Sequence, residues 1–199
     1  MKIAIIPARG GSTRIPRKNT RFFHGKPIIA YSIETALGCE QMFDHVIVSS
    51  DDESINSFAS RYNVTTHLRS PELADNDVGT QEVARDVILW AEKALNKGEH
   101  LEHACVIYAT APMLERSDLW RGWEQVNRHG RHYAFSVGTD PLQDAGQFYF
   151  GAAKAFIERR PLIGPLSAMI PIESARCCDI NTQQDWERAE EMYEKLKSS

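Results

Sequence analysis

Short apolar runs alternate along the chain with longer stretches in which apolar residues recur every three to four positions, the pattern of strands alternating with helices. Residues 3–6 form the first run, and HVIVSS, His45–Ser50, repeats it before Asp51-Asp52. Residues 64–68, 104–112 and 133–137 add three more. The unbroken apolar character of 104–112 fits a strand covered on both faces, as in a largely parallel sheet with flanking helices. Between these runs, Ile29, Ile33, Ala36 and Leu37 share one helical face from a start at Pro27 to a stop at Gly38. Ile55, Phe58, Ala59 and Tyr62 mark a second helix. The clearest helix runs from about Gln81 to Leu95, with Ala84, Val87, Ile88, Ala91, Ala94 and Leu95 inward and Glu82, Arg85, Glu92 and Lys93 on the wet side. Residues 119–126, carrying Trp120 and Trp123, cover a sheet face. Thr182 caps a closing helix whose apolar stripe is Trp186, Ala189, Met192, Tyr193 and Leu196. The reading is an α/β protein with 1–199 as one domain. Residues 138–170, rich in turns and aromatics, form a hairpin or excursion from the sheet that closes over a ligand or offers an apolar surface to another subunit.

The stretch IIPARGGSTRIPRKN, residues 5–19, stands out against this regularity. A buried strand runs into Pro7, the Gly10-Gly11 pair and four cations, Arg9, Arg14, Arg17 and Lys18. Glycines permit a tight turn and close backbone approach, and Arg and Lys supply charge-assisted hydrogen bonds to phosphoryl oxygens. The stretch reads either as a triphosphate-binding loop or as a solvated basic loop. Its spacing matches neither the G-x-x-x-x-G-K-[ST] loop of ATPases nor the G-x-G-x-x-G turn of dinucleotide folds. Asp51 and Asp52, at a strand end, either meet a ligand or cap the next helix. The polar stretch 70–80 lies over the surface near the strand ends, where Arg69, Asp75, Asp77 and Thr80 can meet polar ligands or serve turns and caps. Asp179 and Asn181 alternate across Ile180, so their oxygens point to the same side of an extended backbone, either toward a hard cation such as Mg²⁺ or into a buried turn.

A formal charge of −4 over 199 residues excludes a general nucleic-acid binder and leaves the basic loop as a local exception suited to a small anionic ligand. No apolar run reaches the length of a membrane span, and Met1-Lys2 leads straight into a strand, so a cytoplasmic protein is expected. Cys39, Cys105, Cys177 and Cys178 form no C-x-x-C pair and are expected as reduced, partly buried thiols; the histidines have no zinc spacing.

The motifs IIPARGGSTRIPRKN, GKPIIAYSI, VIVSSDD, LRSPELADNDVGT, CVIYATAP, QDAGQFYFG and IPIESARCCDINTQQDW follow one another across nearly the whole chain. In that order they resemble the cytidylyltransferases that activate nine-carbon nonulosonic acids, most of all those acting on pseudaminic acid. The resemblance implies a Rossmann-like nucleotidyltransferase domain with a largely parallel, mixed central sheet flanked by helices. It implies CTP and a sugar acid as substrates, a CMP-sugar and pyrophosphate as products, Mg²⁺ as cofactor and a homodimer as the molecule. Carried over by motif, Ala8, Arg9, Gly10, Gly11, Arg14, Lys18, Asn19, Arg69 and Tyr108 fall on the nucleotide side, with Arg9 and Lys18 as the catalytic phosphate ligands. Gln147 and Tyr149 fall on the sugar side, and Asp179 with Asn181 at the metal. Thr13 and Asn181 stand where these enzymes commonly carry lysine and aspartate. The competing readings are the same reaction on N-acetylneuraminic, legionaminic or a shorter 3-deoxy sugar acid, and a nucleotide-sensing or assembly protein without turnover.

Overall fold

A computed structural model describes residues 1–75, 77–140 and 142–198; Asn76, Pro141 and Ser199, which fall in stretches read above, lie outside the described residues. In chain order the elements are β1 (Lys2–Pro7), β2 (Phe22–Phe23), β3 (Lys26–Pro27), α1 (Ile28–Leu37), β4 (His45–Ser50), α2 (Glu53–Ala59), β5 (Thr65–Leu68) and α3 (Thr80–Ala94), followed by β6 (His103–Ile107), α4 (Arg116–His129), β7 (Tyr133–Thr139), β8 (Leu142–Ala152), α5 (Ala153–Ile157), β9 (Ser167–Ile172) and α6 (Gln183–Ser198). Seven strands form one sheet in the order β5-β4-β1-β6-β8-β7-β9. All run parallel except β8, which pairs antiparallel with both neighbours.

The two-residue period of the strands feeds two separate cores. Ala4, Ile6, Val46, Val48, Cys105, Ile107, Phe148 and Phe150 face one cluster with α1, α2 and α4. Ile3, Ile5, Ile47, Ala104, Val106, Tyr133, Phe135 and Tyr149 face the other, with α3 and α5. Both faces are covered, which is why the strands read as unbroken apolar runs. A third cluster joins the chain ends: Trp186 and Ala189 of α6 pack on Ile15, Phe23, Ile28, Tyr31 and Ile180.

Several expectations need correction. Of the two readings of 138–170, a hairpin or an excursion from the sheet, the hairpin is the one that forms, with Thr139 paired to Leu142. Residues 142–152 are β8 itself, a hairpin partner of β7 inserted between β7 and β6, and alternating burial of Phe148 and Phe150 against Tyr149 in the two cores hides its strand period. The 104–112 strand ends at Ile107; 108–112 stays mostly buried as irregular backbone. On α3, Ala94 is exposed, whereas Glu92 is buried and accepts the Leu101 N–H at 3.0 Å, tying the helix to the following loop. Trp123 packs on the core while Trp120 is partly exposed. The cysteines are free thiols, three of them buried. Thr182 and Asp185 cap α6 reciprocally, since the Asp185 N–H donates to Thr182 Oγ1 at 3.2 Å and the Thr182 N–H to Asp185 Oδ2 at 2.7 Å.

An ion pair deep in the fold was invisible in sequence. Asp118, on α4, is fully buried and accepts from Arg176 Nη1 at 2.6 Å and Nη2 at 3.2 Å, and from Arg121 Nη2 at 2.6 Å. Burial alone would raise its carboxyl, but the guanidinium hydrogen bonds outweigh that and hold it below the usual carboxylate value. The stabilisation is therefore present above the ordinary aspartate pKa and is lost as pH falls through the lower, folded value. Asp118→Ala leaves the buried Arg176 guanidinium with only the exposed Glu115 and Glu173 carboxylates at 3.7 and 4.0 Å and is expected to cost about 3 kcal/mol, read as a lower urea midpoint at unchanged m.

Candidate active site

The parallel strands end on one side of the sheet, and the chain leaves β1 and β6 there in opposite lateral directions. A crevice opens at such a switch point. It forms a cavity of about 380 Å³ walled by the loops after β1, β5 and β6, the 73–80 segment, the start of β8 and residues 179–181. The size suits a nucleotide-scale ligand.

The loop after β1 supplies Arg9, Ser12, Thr13, Arg14, Lys18 and Asn19 to the wall. Its shape is set by three fastenings. The Gly10 N–H donates to Asp51 Oδ1 at 3.0 Å, the Asn19 amide donates to the Arg9 carbonyl at 2.9 Å, and Ile15 is buried under α6. Lys18 spans the cavity floor to donate to the Ile180 carbonyl at 2.6 Å. Burial pushes its amine below the ordinary lysine value; Arg14 and Arg9 push the same way, against Asp179 and Asp185. Asp51 and Asp52 both serve the scaffold here, the second by capping α2 through the Ser54 N–H at 2.8 Å.

Carboxylates line the same cavity. Asp144 and Gly146 arrive from β8, whose register against β7 shifts between Phe135 and Val137. At that shift the Ser136 hydroxyl accepts the Gln147 and Phe148 N–H groups at 3.1 and 3.2 Å, and Gly146 takes φ +58°. Asp144 is held by the Gly146 N–H at 2.9 Å and by a short hydrogen bond from the Tyr149 hydroxyl. Asp179 faces it. Burial raises the Asp179 carboxyl and the charges of Asp144 and Asp185 add to this, against the Asn181 hydrogen bond and Lys18. Asn181 turns its amide nitrogen to Asp179 Oδ2 at 2.5 Å and its oxygen to Arg14 at 3.5 Å, a placement that follows from the hydrogen-bond network.

Of the residues singled out in sequence, Arg9, Arg14, Lys18, Asn19, Arg69, Tyr108, Asp179 and Asn181 line this one cavity. Ala8, Gly10 and Gly11 do not: Ala8 is buried behind the loop, and neither glycine has a positive φ. Gln147 and Tyr149 do not line it either. Gln147 is buried and donates to the Arg176 carbonyl at 2.7 Å, and Tyr149 reaches the site through Asp144 and through the Tyr108 ring, 6.2 Å away between centroids. Asp144 and Gly146 were missed as individual residues, although their motif was recognised; a glycine two residues after an aspartate is the one local sign of the turn that presents the carboxylate.

The cytidylyltransferase family model matches residues 3–158. A pseudaminic acid cytidylyltransferase from Campylobacter jejuni subsp. jejuni serotype O:23/36 is 34% identical over 225 aligned positions, covering 96% of this chain and 95% of that protein. The CMP-N,N'-diacetyllegionaminic acid synthase of Legionella pneumophila subsp. pneumophila is 27% identical, covering 96% of each. Among solved structures, a CMP:2-keto-3-deoxy-manno-octonic acid synthetase complexed with CTP superposes with a TM-score of 0.74 at 12% identity, covering 98% of this chain and 99% of that one, a likeness that bears on the fold alone. With both the family model and a relative above 30% identity spanning its length, the chain belongs to the cytidylyltransferase family.

Proposed function

We propose that this cytidylyltransferase transfers the cytidylyl group of CTP to the anomeric hydroxyl of pseudaminic acid, releasing pyrophosphate. The observation that carries the reading is one cavity lined both by the cations Arg9, Arg14 and Lys18 and by the carboxylates Asp144 and Asp179. The cations suit the charges of a triphosphate. The identity of 34% with the Campylobacter enzyme supports pseudaminic acid over other nonulosonic acids.

The donor set fits a hard divalent cation such as Mg²⁺. Among the described residues no group of three or more His, Cys, Asp or Glu side chains is gathered for a metal, but Mg²⁺ takes one or two carboxylates together with substrate phosphates. Burial raises the Asp179 carboxyl and Asp144 adds to this, and these two carboxylates would hold the ion, with Asn181 supporting Asp179. When bound, Mg²⁺ supplies charge neutralisation at the phosphate oxygens. Arg9, Arg14 and Lys18 orient the triphosphate and match the charge that grows on it as the sugar oxygen bonds to the α-phosphorus and the α–β bridge opens. Asn19 keeps Arg9 in place, and Arg69 and Tyr108 line the nucleotide end. Gln147 and Tyr149 act on the sugar side through the β8 turn. Apolar Ile163, Leu166 and Met169, exposed on or just before the edge strand β9, support a homodimer. Among the described residues no helix is long and apolar enough to cross a membrane, in keeping with a cytoplasmic biosynthetic enzyme.

A panel of nucleoside triphosphates against sugar acids, read by pyrophosphate release and product mass, is expected to give turnover with CTP and pseudaminic acid. Equal rates with every triphosphate overturn the base selectivity, preference for N-acetylneuraminic or legionaminic acid moves the substrate to that sugar, and binding of CTP without any product leaves a sensing protein. Asp179→Asn is expected to lower kcat on the order of 10²-fold or more and to raise the Mg²⁺ concentration for half-maximal rate, while CTP affinity without metal stays near parental. A parental Mg²⁺ titration removes Asp179 from the metal.

The loop also has a steric signature. A Cβ on Gly10 would stand 2.7 Å from Asp52 Oδ2 and 2.8 Å from its Cβ. Gly10→Ala therefore displaces the cationic wall and is expected to weaken CTP binding on the order of tenfold or more by calorimetry, as small misplacements of a positioning loop do. Gly164→Ala, whose added Cβ meets only Pro161 at 3.8 Å, is the control expected to bind as the parent.

A further inference from the structure

Arg69 enters the cavity from the end of β5 with an unusual support beneath it. Its guanidinium is buried, donating from Nη2 to the Ser49 carbonyl at 2.5 Å and from Nε to Ser49 Oγ at 3.3 Å. Ser49 and His67 are direct partners in the β4–β5 register, and Ser49 Oγ lies 3.1 Å from His67 Nδ1. The other ring nitrogen, His67 Nε2, lies 3.7 Å from Asp86 Oδ2 on α3, and the Trp90 ring packs on the imidazole at 4.9 Å between centroids. Ser49 is fully buried and His67 nearly so. The order Asp-His-Ser is that of a hydrolytic triad, but the serine is sealed from the cavity and its hydroxyl is turned to an arginine.

Hydrogen-bond polarity along this row has one consistent solution. Arginine Nε is a donor only, so Ser49 Oγ accepts from it. The single hydroxyl hydrogen then goes to His67 Nδ1, which must be bare, and the ring proton sits on Nε2, facing the Asp86 carboxylate. The opposite tautomer would point an Nε2 lone pair at a carboxylate and leave the Ser49 hydrogen without the histidine. We propose that Asp86, His67 and Ser49 form a buried relay that fixes the Arg69 guanidinium at the wall of the cavity, with His67 as a positioning residue held neutral in its Nε2–H form. The proposal rests on the reading of Arg69 as a nucleotide contact.

The same row makes Arg69 sensitive to acid. The charged groups facing His67 are Asp86 from α3 and Arg69 at the end of β5, while β4 presents the Ser49 hydroxyl. Burial lowers the imidazole from its ordinary 6.5, Asp86 opposes this and Arg69 adds to it. The ring is therefore neutral at neutral pH. Below its lowered value it gains a proton on Nδ1, and two donors, Arg69 Nε–H and His67 Nδ1–H, compete for Ser49 Oγ beside a pair of like charges.

The test combines steady-state kinetics with NMR on the full chain. His67→Phe keeps a ring against Trp90 and removes the acceptor; it is expected to raise KM for CTP about five- to tenfold with kcat within about twofold, the pattern of a lost contact made equally in ground and transition states. His67→Asn, which offers Oδ1 where Nδ1 stood, is expected to restore most of that affinity and to lose the acid limb that the parent shows in kcat/KM for CTP below pH 6.5. In an Arg69→Ala background, His67→Phe is expected to add nothing. Nitrogen-15 spectra of the parent at neutral pH should show the Nε2–H tautomer of His67. A parental KM in His67→Phe when Arg69→Ala raises KM overturns the relay, as do additive effects in the double variant or an Nδ1–H tautomer. An Arg69→Ala enzyme with parental KM instead overturns the nucleotide contact itself, and the tautomer still decides the relay. If His67→Phe does not fold, His67→Asn and the tautomer carry the same decision.

Discussion

Arg9, Arg14 and Lys18 converge on one cavity and repel one another, so the loop that carries them must be fastened by something other than charge. That fastening is the contact between the two ends of the chain. Ile15, in the middle of the loop, and Phe23, just beyond it, are buried beneath Trp186 of the last helix, with Phe23 edge-on to the indole at 5.6 Å. Full burial of side chains of this size stabilises by about 1.5–3 kcal/mol each, and three of them together exceed the roughly 4 kcal/mol by which two like charges a few ångströms apart repel near a protein surface. A hydrophobic contact thus holds three like charges on one cavity. The same helix carries, through its reciprocal cap at Thr182 and Asp185, the turn that presents Asp179, so the cationic loop and that turn both depend on the α6 packing.

Cations and the Asp144 carboxylate reach the cavity from strands that run in opposite directions. Loops leaving β1 and β5 bring the cations; the antiparallel β8 starts at the rim where the parallel strands stop, and brings Asp144 there instead of at the far end. A wholly parallel sheet would place the start of that strand at the opposite edge. The shift of register at Ser136, with its hydroxyl standing in for a ladder acceptor, then bends the strand so that Gly146 passes close to Asp179: a Cβ on Gly146 would stand 3.1 Å from the Asp179 carboxyl carbon.

Legibility in the sequence followed the range of the interactions. Elements governed by local period and local caps were readable: β1, β4, α1, α3, the stripe of α6 and its Thr182 cap. The basic loop was readable because glycine, proline and four cations cannot be buried without a reason. β8 was not, since a strand buried on both faces and carrying Gly, Gln and Tyr has neither alternation nor a clean apolar run. Glu92 looked wet by helical position, yet the chain returns after α3 and offers it the Leu101 N–H. Arg176 and Asp118 are brought together only by folding, and no spacing announces them.

Asp51 and Asp52 illustrate why a site cannot be assigned by residue type alone. They sit at a strand end beside the cationic loop, where two carboxylates would be natural ligands for a metal or counterions for Arg9. Instead Asp51 takes the Gly10 N–H, and Asp52 takes the Ser54 N–H and hydroxyl. The Ser54 hydrogen bonds hold the Asp52 carboxyl below its ordinary value, so it is already satisfied where it stands. Asp179, by contrast, is raised by burial and by neighbouring acids. The two carboxylates thus differ in what surrounds them: hydrogen bonds from Ser54 outweigh burial at Asp52, whereas at Asp179 burial and neighbouring acids outweigh the Asn181 hydrogen bond and Lys18.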